Sequence, residues 1–160
     1  MVRWAEAGEL SGLVSVELAA DGMFEQAGIV FPPGTTMIEE VDDPGAVLVE
    51  GTPPVGFALM GWVDGNLHLE QLAVRPDDMR QGIGGRLMTA VIDHARAAGA
   101  PAVTLTTFRD VPWNAPWYEK RHGFRVVPEA QWGPELRALV AHERDLGIEV
   151  APRVVMSRAV

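Results

Sequence analysis

The sequence predicts an α/β fold of the α+β kind: a mixed, mainly antiparallel sheet with a central parallel pair, flanked by helices. Two observations carry this. Three β-type segments follow one another between residues 46 and 74 with only short turns between them, and strands joined so tightly pair antiparallel. A glycine-rich turn, a helical pattern and a further β-type segment come next, and a strand–helix–strand crossover requires a parallel pair.

Taken in order, residues 1 to about 30 favour helix, and Leu10, Leu13, Val14 and Leu18 recur at helical spacing, so one or two short helices open the chain. "FPPGTT" breaks it. "AVLVEG" (46–51) and "VGFALMGWVDGN" (55–66) read as strands joined by "TPP", and Asp64-Gly65 is a hairpin signal leading into "LHLEQLAV" (67–74). Simple alternation puts Leu67, Leu69, Gln71 and Ala73 on one face and His68, Glu70, Leu72 and Val74 on the other. Leu87, Met88, Val91, Ile92 and Ala95 form the apolar stripe of a helix beginning near Gly84 and closed by Gly99. "AVTLTTF" (102–108) is β-branched and strand-like. The charges Glu135, Arg137, His142, Glu143, Arg144 and Asp145 read as a solvated helix face, and "RVVMSRAV" as a closing strand.

Composition narrows the function. A chain of 160 residues, 48% hydrophobic and 22% charged, is expected to fold as a single domain spanning 1–160. Thirteen basic against 22 acidic residues give a formal charge of -9, which repels phosphate backbones and anionic lipid, so neither nucleic acid nor membrane is an expected partner. With no cysteine there is no disulfide, thiolate metal site or cysteine nucleophile, and no metal is expected. "MVRWAEAGEL" lacks the apolar core of a signal peptide, and "VGFALMGWV" falls short of the roughly 20 residues that cross a bilayer. The expected location is the cytoplasm.

The stretch "RPDDMRQGIGGRLM" (75–88) carries the strongest chemical signal. A strand ending at Val74, glycines at 82, 84 and 85, and a helix just beyond bring free backbone N–H groups and a helix dipole to one point, which is an anion site suited to phosphate or pyrophosphate. The same glycines also permit a tight turn and close packing without any ligand. A P-loop is excluded, because no lysine is followed by serine or threonine, and "GIGG" lacks the dinucleotide G-x-G-x-x-G spacing.

"LAVRPDDMRQGIGGRLMTAVIDHARAAGAPAVTLTT", followed by "WNAPWYEKRHGF", resembles the acyl-CoA unit of the GNAT superfamily of N-acyltransferases over about residues 55–127. The resemblance implies the GNAT fold, in which the two parallel strands splay apart. It implies that acetyl-CoA, as cosubstrate, binds through Arg80, Gln81, Gly82, Ile83, Gly84 and Gly85 at its pyrophosphate. The backbone of Leu72, Ala73 and Val74 would lie along its pantetheine arm. Three departures stand beside the match: Met79 occupies a position usually glutamine or arginine, the usual asparagine position is Val111, and "YEKRHGF" has one extra residue before Gly-Phe. Nearby Asn114 is either a cofactor ligand or a cap on the helix that Pro116 helps to start.

By the same resemblance, Tyr118, the only tyrosine in the chain, protonates the departing thiolate. An acceptor ammonium must lose a proton before it attacks; Glu70 is the first candidate base and His68 the second. The alternatives for these residues are a packed aromatic for Tyr118, a hydrogen-bonded sheet residue for His68, and a paired or solvated carboxylate for Glu70. The implied function is acetyl transfer from acetyl-CoA to a primary amine in a ternary complex; the alternative is a catalytically weak module that senses acyl-CoA. The acidic chain favours cationic amines as acceptors. A homodimer is one open assembly.

Overall fold

The protein is described here from a computed structural model covering residues 1–32 and 36–160. The strands are β1 (Val2–Trp4), β2 (Val47–Glu50), β3 (Gly56–Val63), β4 (Asn66–Val74), β5 (Ala102–Phe108), β6 (Arg125–Val126) and β7 (Arg153–Ala159). The α-helices are α1 (Leu13–Asp21), α2 (Ile83–Ala97), α3 (Ala115–His122) and α4 (Pro134–Asp145). One sheet runs in the order β1-β2-β3-β4-β5-β7-β6. All its pairings are antiparallel except β4 with β5, as the crossover through α2 demands.

The β3–β4 hairpin turns on Asp64 and Gly65, both with positive φ (52° and 78°), the conformation that matches the twist of the flanking strands. Leu87, Met88, Val91, Ile92 and Ala95 are buried on one face of the sheet, and the left-handed Gly99 follows the C-cap Ala98. α1 covers the opposite face through Leu13 and Val16, packed on Val49, Phe57 and Leu59.

Five features differ from the expectation or go beyond it. The chain opens on β1, a three-residue edge strand too short to show a period, before its helices begin. In the first helix the buried stripe is Leu13, Val16 and Glu17, with Leu18 57% exposed, because Ala7–Gly12 is wound as a 3₁₀ helix and shifts the phase of the turns that follow. β4 does not alternate simply. Leu59 pairs with Gln71 but Met60 with Leu69, so Glu70 is the extra residue of a β-bulge. Leu67 and Leu69 therefore share the α2 face with Leu72 and Val74, while Ala73 faces the α1 side. The fourth feature is α4, whose N-terminus is capped from outside the helix: Asp64 accepts from the Glu135 and Leu136 amides at 2.9 and 3.0 Å. The fifth is Glu143, which is not on a solvated face but turned inward, as described below. Of the expected break "FPPGTT", residues 33–35 lie outside the described residues.

Candidate active site

β4 and β5 are hydrogen-bonded only from Leu67↔Val103 to Leu69↔Leu105. Beyond that rung the bulge at Glu70 bends β4, which runs on to Val74 while β5 runs on to Phe108, with no ladder between them. The V so formed opens into a cavity of about 630 Å³. It is lined by Glu70, Gln71, Leu72 and Val74 on one side and by Leu105, Thr106, Thr107 and Phe108 on the other.

The glycine-rich loop closes one end, with Met79, Arg80, Gly82, Ile83, Gly84 and Gly85 in the lining. Arg80 (φ 68°) and Gly82 (φ 80°) are left-handed and aim the turn into α2. Among the described residues, none of the amides of residues 80–85 is given to a protein acceptor. α2 begins at Ile83, so these amides and its dipole converge as the sequence requires of an anion site. The loop is clamped from behind: Arg86 is bidentate on Glu50 (2.8 and 2.6 Å) and donates to the Gln81 carbonyl at 2.9 Å. A methyl at position 82 would lie 3.0 Å from Arg86 Nη1, whereas at Gly84 the nearest atom, on Trp117, lies 3.8 Å away. Gly84 thus leaves the amides open to a ligand without being needed by the fold.

α3 brings Asn114, Trp117, Tyr118 and Arg121 to the same end. Asn114 precedes the helix, but its side chain makes no capping bond and lies in the cavity instead. Tyr118 is buried between Trp117 and Phe124 (ring centroids 5.1 and 5.7 Å), and burial pushes its phenol above the ordinary range. Its ring lines the cavity, and among the described residues nothing bonds its hydroxyl. The extra residue before Gly-Phe is absorbed at the helix end, where Gly123 takes a left-handed C-cap (φ 69°).

Glu70 stands half-buried in the V without a cationic partner among the described residues, and burial raises its carboxyl. His68 stands apart from it. It is 1% exposed, is absent from the cavity lining, and its Nδ1 lies 2.7 Å from Thr104 Oγ1 on the last shared rungs of β4 and β5. Burial drives its imidazole down to about 4. His68 is thus a buried sheet residue hydrogen-bonded to Thr104; a base at this position would have to reach the cavity, and the bulge that frees Glu70 comes only after it. Leu72 and Val74 line the cavity, while the Ala73 side chain points to the other side of the sheet, leaving only its backbone to serve there.

The far end of the cavity holds residues the sequence did not bring together. Arg153 of β7 donates to Thr106 Oγ1 (3.0 Å), lies over the Phe108 ring (4.6 Å) and pairs loosely with Glu143 (3.7 Å), which accepts from Thr106 at 2.8 Å. Glu17 accepts from the Met37 and Ile38 amides, and Asp21 is pushed up to about 7 by burial and by neighbouring Glu17. Phe24, Phe31 and Trp113 complete this end. These residues come from four distant parts of the chain, so no local pattern announces them. Among the described residues no cluster of His, Asp and Glu is arranged to hold a metal, and no helix is long and apolar enough to cross a membrane.

Residues 6–124 match the model of the acetyltransferase (GNAT) family. An uncharacterized N-acetyltransferase, YjcF of Bacillus subtilis (strain 168), is 29% identical over 102 residues, covering 62% of this chain and 70% of that protein. Among solved structures, a GNAT-family acetyltransferase from Staphylococcus aureus MU50 superposes with a TM-score of 0.72 at 12% identity, covering 99% of this chain and 98% of the other. Rv2747 from Mycobacterium tuberculosis, solved with CoA and NLQ, superposes at 0.71 and 15%, covering 100% and 99%. N-acetylglutamate synthase from Neisseria gonorrhoeae, solved with CoA and N-acetyl-glutamate, gives 0.69 and 18%; this chain is 99% covered and spans 34% of that one. The matched family model takes in the amide-lined loop, the splayed strands and Tyr118 together, and the chain belongs to the GNAT family of acetyltransferases.

Proposed function

We propose that the protein is an acetyl-CoA-dependent N-acetyltransferase acting on a primary amine by direct attack in a ternary complex. The observation that carries this reading is the continuity of one cavity, from the free amides of residues 80–85, through the open V between β4 and β5, to Glu70 and Tyr118. A cosubstrate pyrophosphate meets the amides and the α2 dipole, and its pantetheine arm takes the unpaired edge of β4 from Leu72 to Val74. Arg80 and Asn114 lie in the same lining.

The chemistry needs three proton movements: one off the ammonium, one onto the leaving sulfur and one off the nitrogen of the intermediate. Glu70, raised by burial, accepts a proton from the incoming ammonium directly or through one water, and a base whose pKa lies nearer neutrality holds that proton better than an ordinary carboxylate. The amine lone pair then adds to the thioester carbonyl. As the tetrahedral intermediate collapses the C–S bond breaks, Tyr118 gives its proton to the departing thiolate, and the second proton shed by the nitrogen restores the phenol and leaves a neutral amide. Burial raises that phenol, so its proton moves to sulfur only as the C–S bond breaks. With no cysteine in the chain, no acyl-cysteine intermediate can form.

The test is thiol release from acetyl-CoA in the presence of a panel of amines, with initial rates at varied concentrations of both. Intersecting double-reciprocal lines are expected. Parallel lines, or an acylated protein mass after acetyl-CoA alone, would contradict direct transfer. CoA binding without thiol release toward any amine would favour a sensing module.

A further inference from the structure

The half of the cavity beyond Glu70 has no part in the cofactor's chemistry, and its lining is specific. Phe24 is the hub of an aromatic group, with ring centroids 5.2 Å from Phe31, 5.6 Å from Trp113 and 5.5 Å from Phe108. The planes are tilted or edge-on, the arrangement in which aromatic rings attract one another. Phe24, Phe31 and Trp113 are only partly buried and present the rest of their surface to the cavity. Met23, Met37 and Ile148 extend this apolar wall.

Its charge is one-sided. The carboxylates are Glu17, Asp21, Glu70 and Glu143, and among the described residues Arg153 is the one cation at this end. That guanidinium engages Thr106 and, loosely, Glu143 through Nη2 and lies over the Phe108 ring, and its Nε is buried without a partner among the described residues. A substrate carboxylate here would meet four acidic side chains against one cation already shared with Glu143, and a buried charge among like charges is disfavoured.

We propose that the acceptor is a primary amine on a flat, apolar body with no carboxylate, of the arylalkylamine type. Its ammonium approaches Glu70, and its ring joins the group formed by Phe24, Phe31 and Trp113. The inference rests on the N-acetyltransferase reading above, and deepens it. Asp21 and Glu17 line the same cavity and add to its acidic character. An extended diamine gains one ammonium–carboxylate contact at Asp21 but leaves the aromatic faces poorly covered.

The experiment has two arms. Acetyl transfer is measured with phenethylamine, phenylalanine, n-butylamine and putrescine, and the same four are titrated calorimetrically into the protein–CoA complex. Phenethylamine should exceed n-butylamine at least about tenfold in kcat/KM, from the ring surface covered. It should exceed phenylalanine by about a hundredfold or more, because rejection of an unpaired buried charge is sharper than selection by apolar size. The binding order should be the same. Trp113→Leu keeps an apolar side chain but removes the indole face, and should shrink the phenethylamine preference over n-butylamine several-fold with the KM for acetyl-CoA retained; Phe24→Leu should do likewise. Preference for phenylalanine or putrescine, in rate or in binding, overturns the inference and leaves the transferase reading intact. Absence of CoA binding overturns both.

Discussion

Glu70 leans over Gly61. The hydrogen at that glycine is what lets it: a methyl group there would sit 2.6 Å from Glu70 Oε1. The bulge on β4 and the glycine on β3 thus fix the carboxylate together, one by aiming it and the other by giving it room. The clashing atom is the far end of a flexible side chain, so Gly61→Ala is expected to fold while displacing the carboxylate. We expect Gly61→Ala to lower kcat with CoA affinity unchanged, and Glu70→Gln to lower it by about 10²–10⁴-fold. In the native protein the acid limb of kcat should lie above the ordinary carboxylate range, since burial raises Glu70, and it should vanish in Glu70→Gln. A Glu70→Gln enzyme with native turnover and the same limb would remove Glu70 from the mechanism.

Tyr118→Phe keeps the ring between Trp117 and Phe124 and removes one proton. If the phenol protonates the thiolate, kcat falls by about 10²–10⁴-fold while the KM for acetyl-CoA stays near native. A tyrosine that serves only to pack predicts the reverse: Tyr118→Phe near native, and Tyr118→Ala unstable by about 3–5 kcal/mol. Steady-state kinetics and urea melts on the two variants separate the cases.

His68 gives a prediction about stability. Its folded pKa of about 4 lies below the ordinary value of 6.5, so the unfolded chain takes up a proton that the folded chain refuses. The stability it contributes is complete above pH 6.5 and is lost as the pH falls toward 4, by roughly 2–3 kcal/mol. His68→Gln has no such group, so between pH 7.5 and 4.5 it should lose that much less stability than the native chain in urea unfolding. Equal losses would mean that the imidazole is charged within the fold.

What could be read from the sequence follows the range of the interactions involved. The order β4, α2, β5 is legible because each element's type is marked locally, and Leu87 to Ala95 name their face without help from the rest of the chain. The Asp64-Gly65 turn is legible because two adjacent positive φ angles need that chemistry. The bulge at Glu70 has no such local mark. It inverts the alternation midway along β4, and with it the faces assigned to Leu72, Ala73 and Val74. For His68 and Glu70, simple alternation suggested a shared face; one is sealed against Thr104 and the other freed into the cavity. Glu143 and Arg153 meet through the packing of α4 and β7 about Thr106, a long-range event invisible to periodicity.

The most direct measurement is calorimetric titration of CoA into the native protein, Gly84→Ala and Gly84→Asp. The space at Gly84 admits a Cβ at ordinary contact distance and its φ is not positive, so both variants should keep the native melting behaviour. If the pyrophosphate sits on the amides of residues 80–85, the native protein binds CoA, alanine weakens binding modestly, and aspartate, which sets a carboxylate among those amides, all but abolishes it. Native-like CoA affinity in a folded Gly84→Asp would contradict the account at its centre.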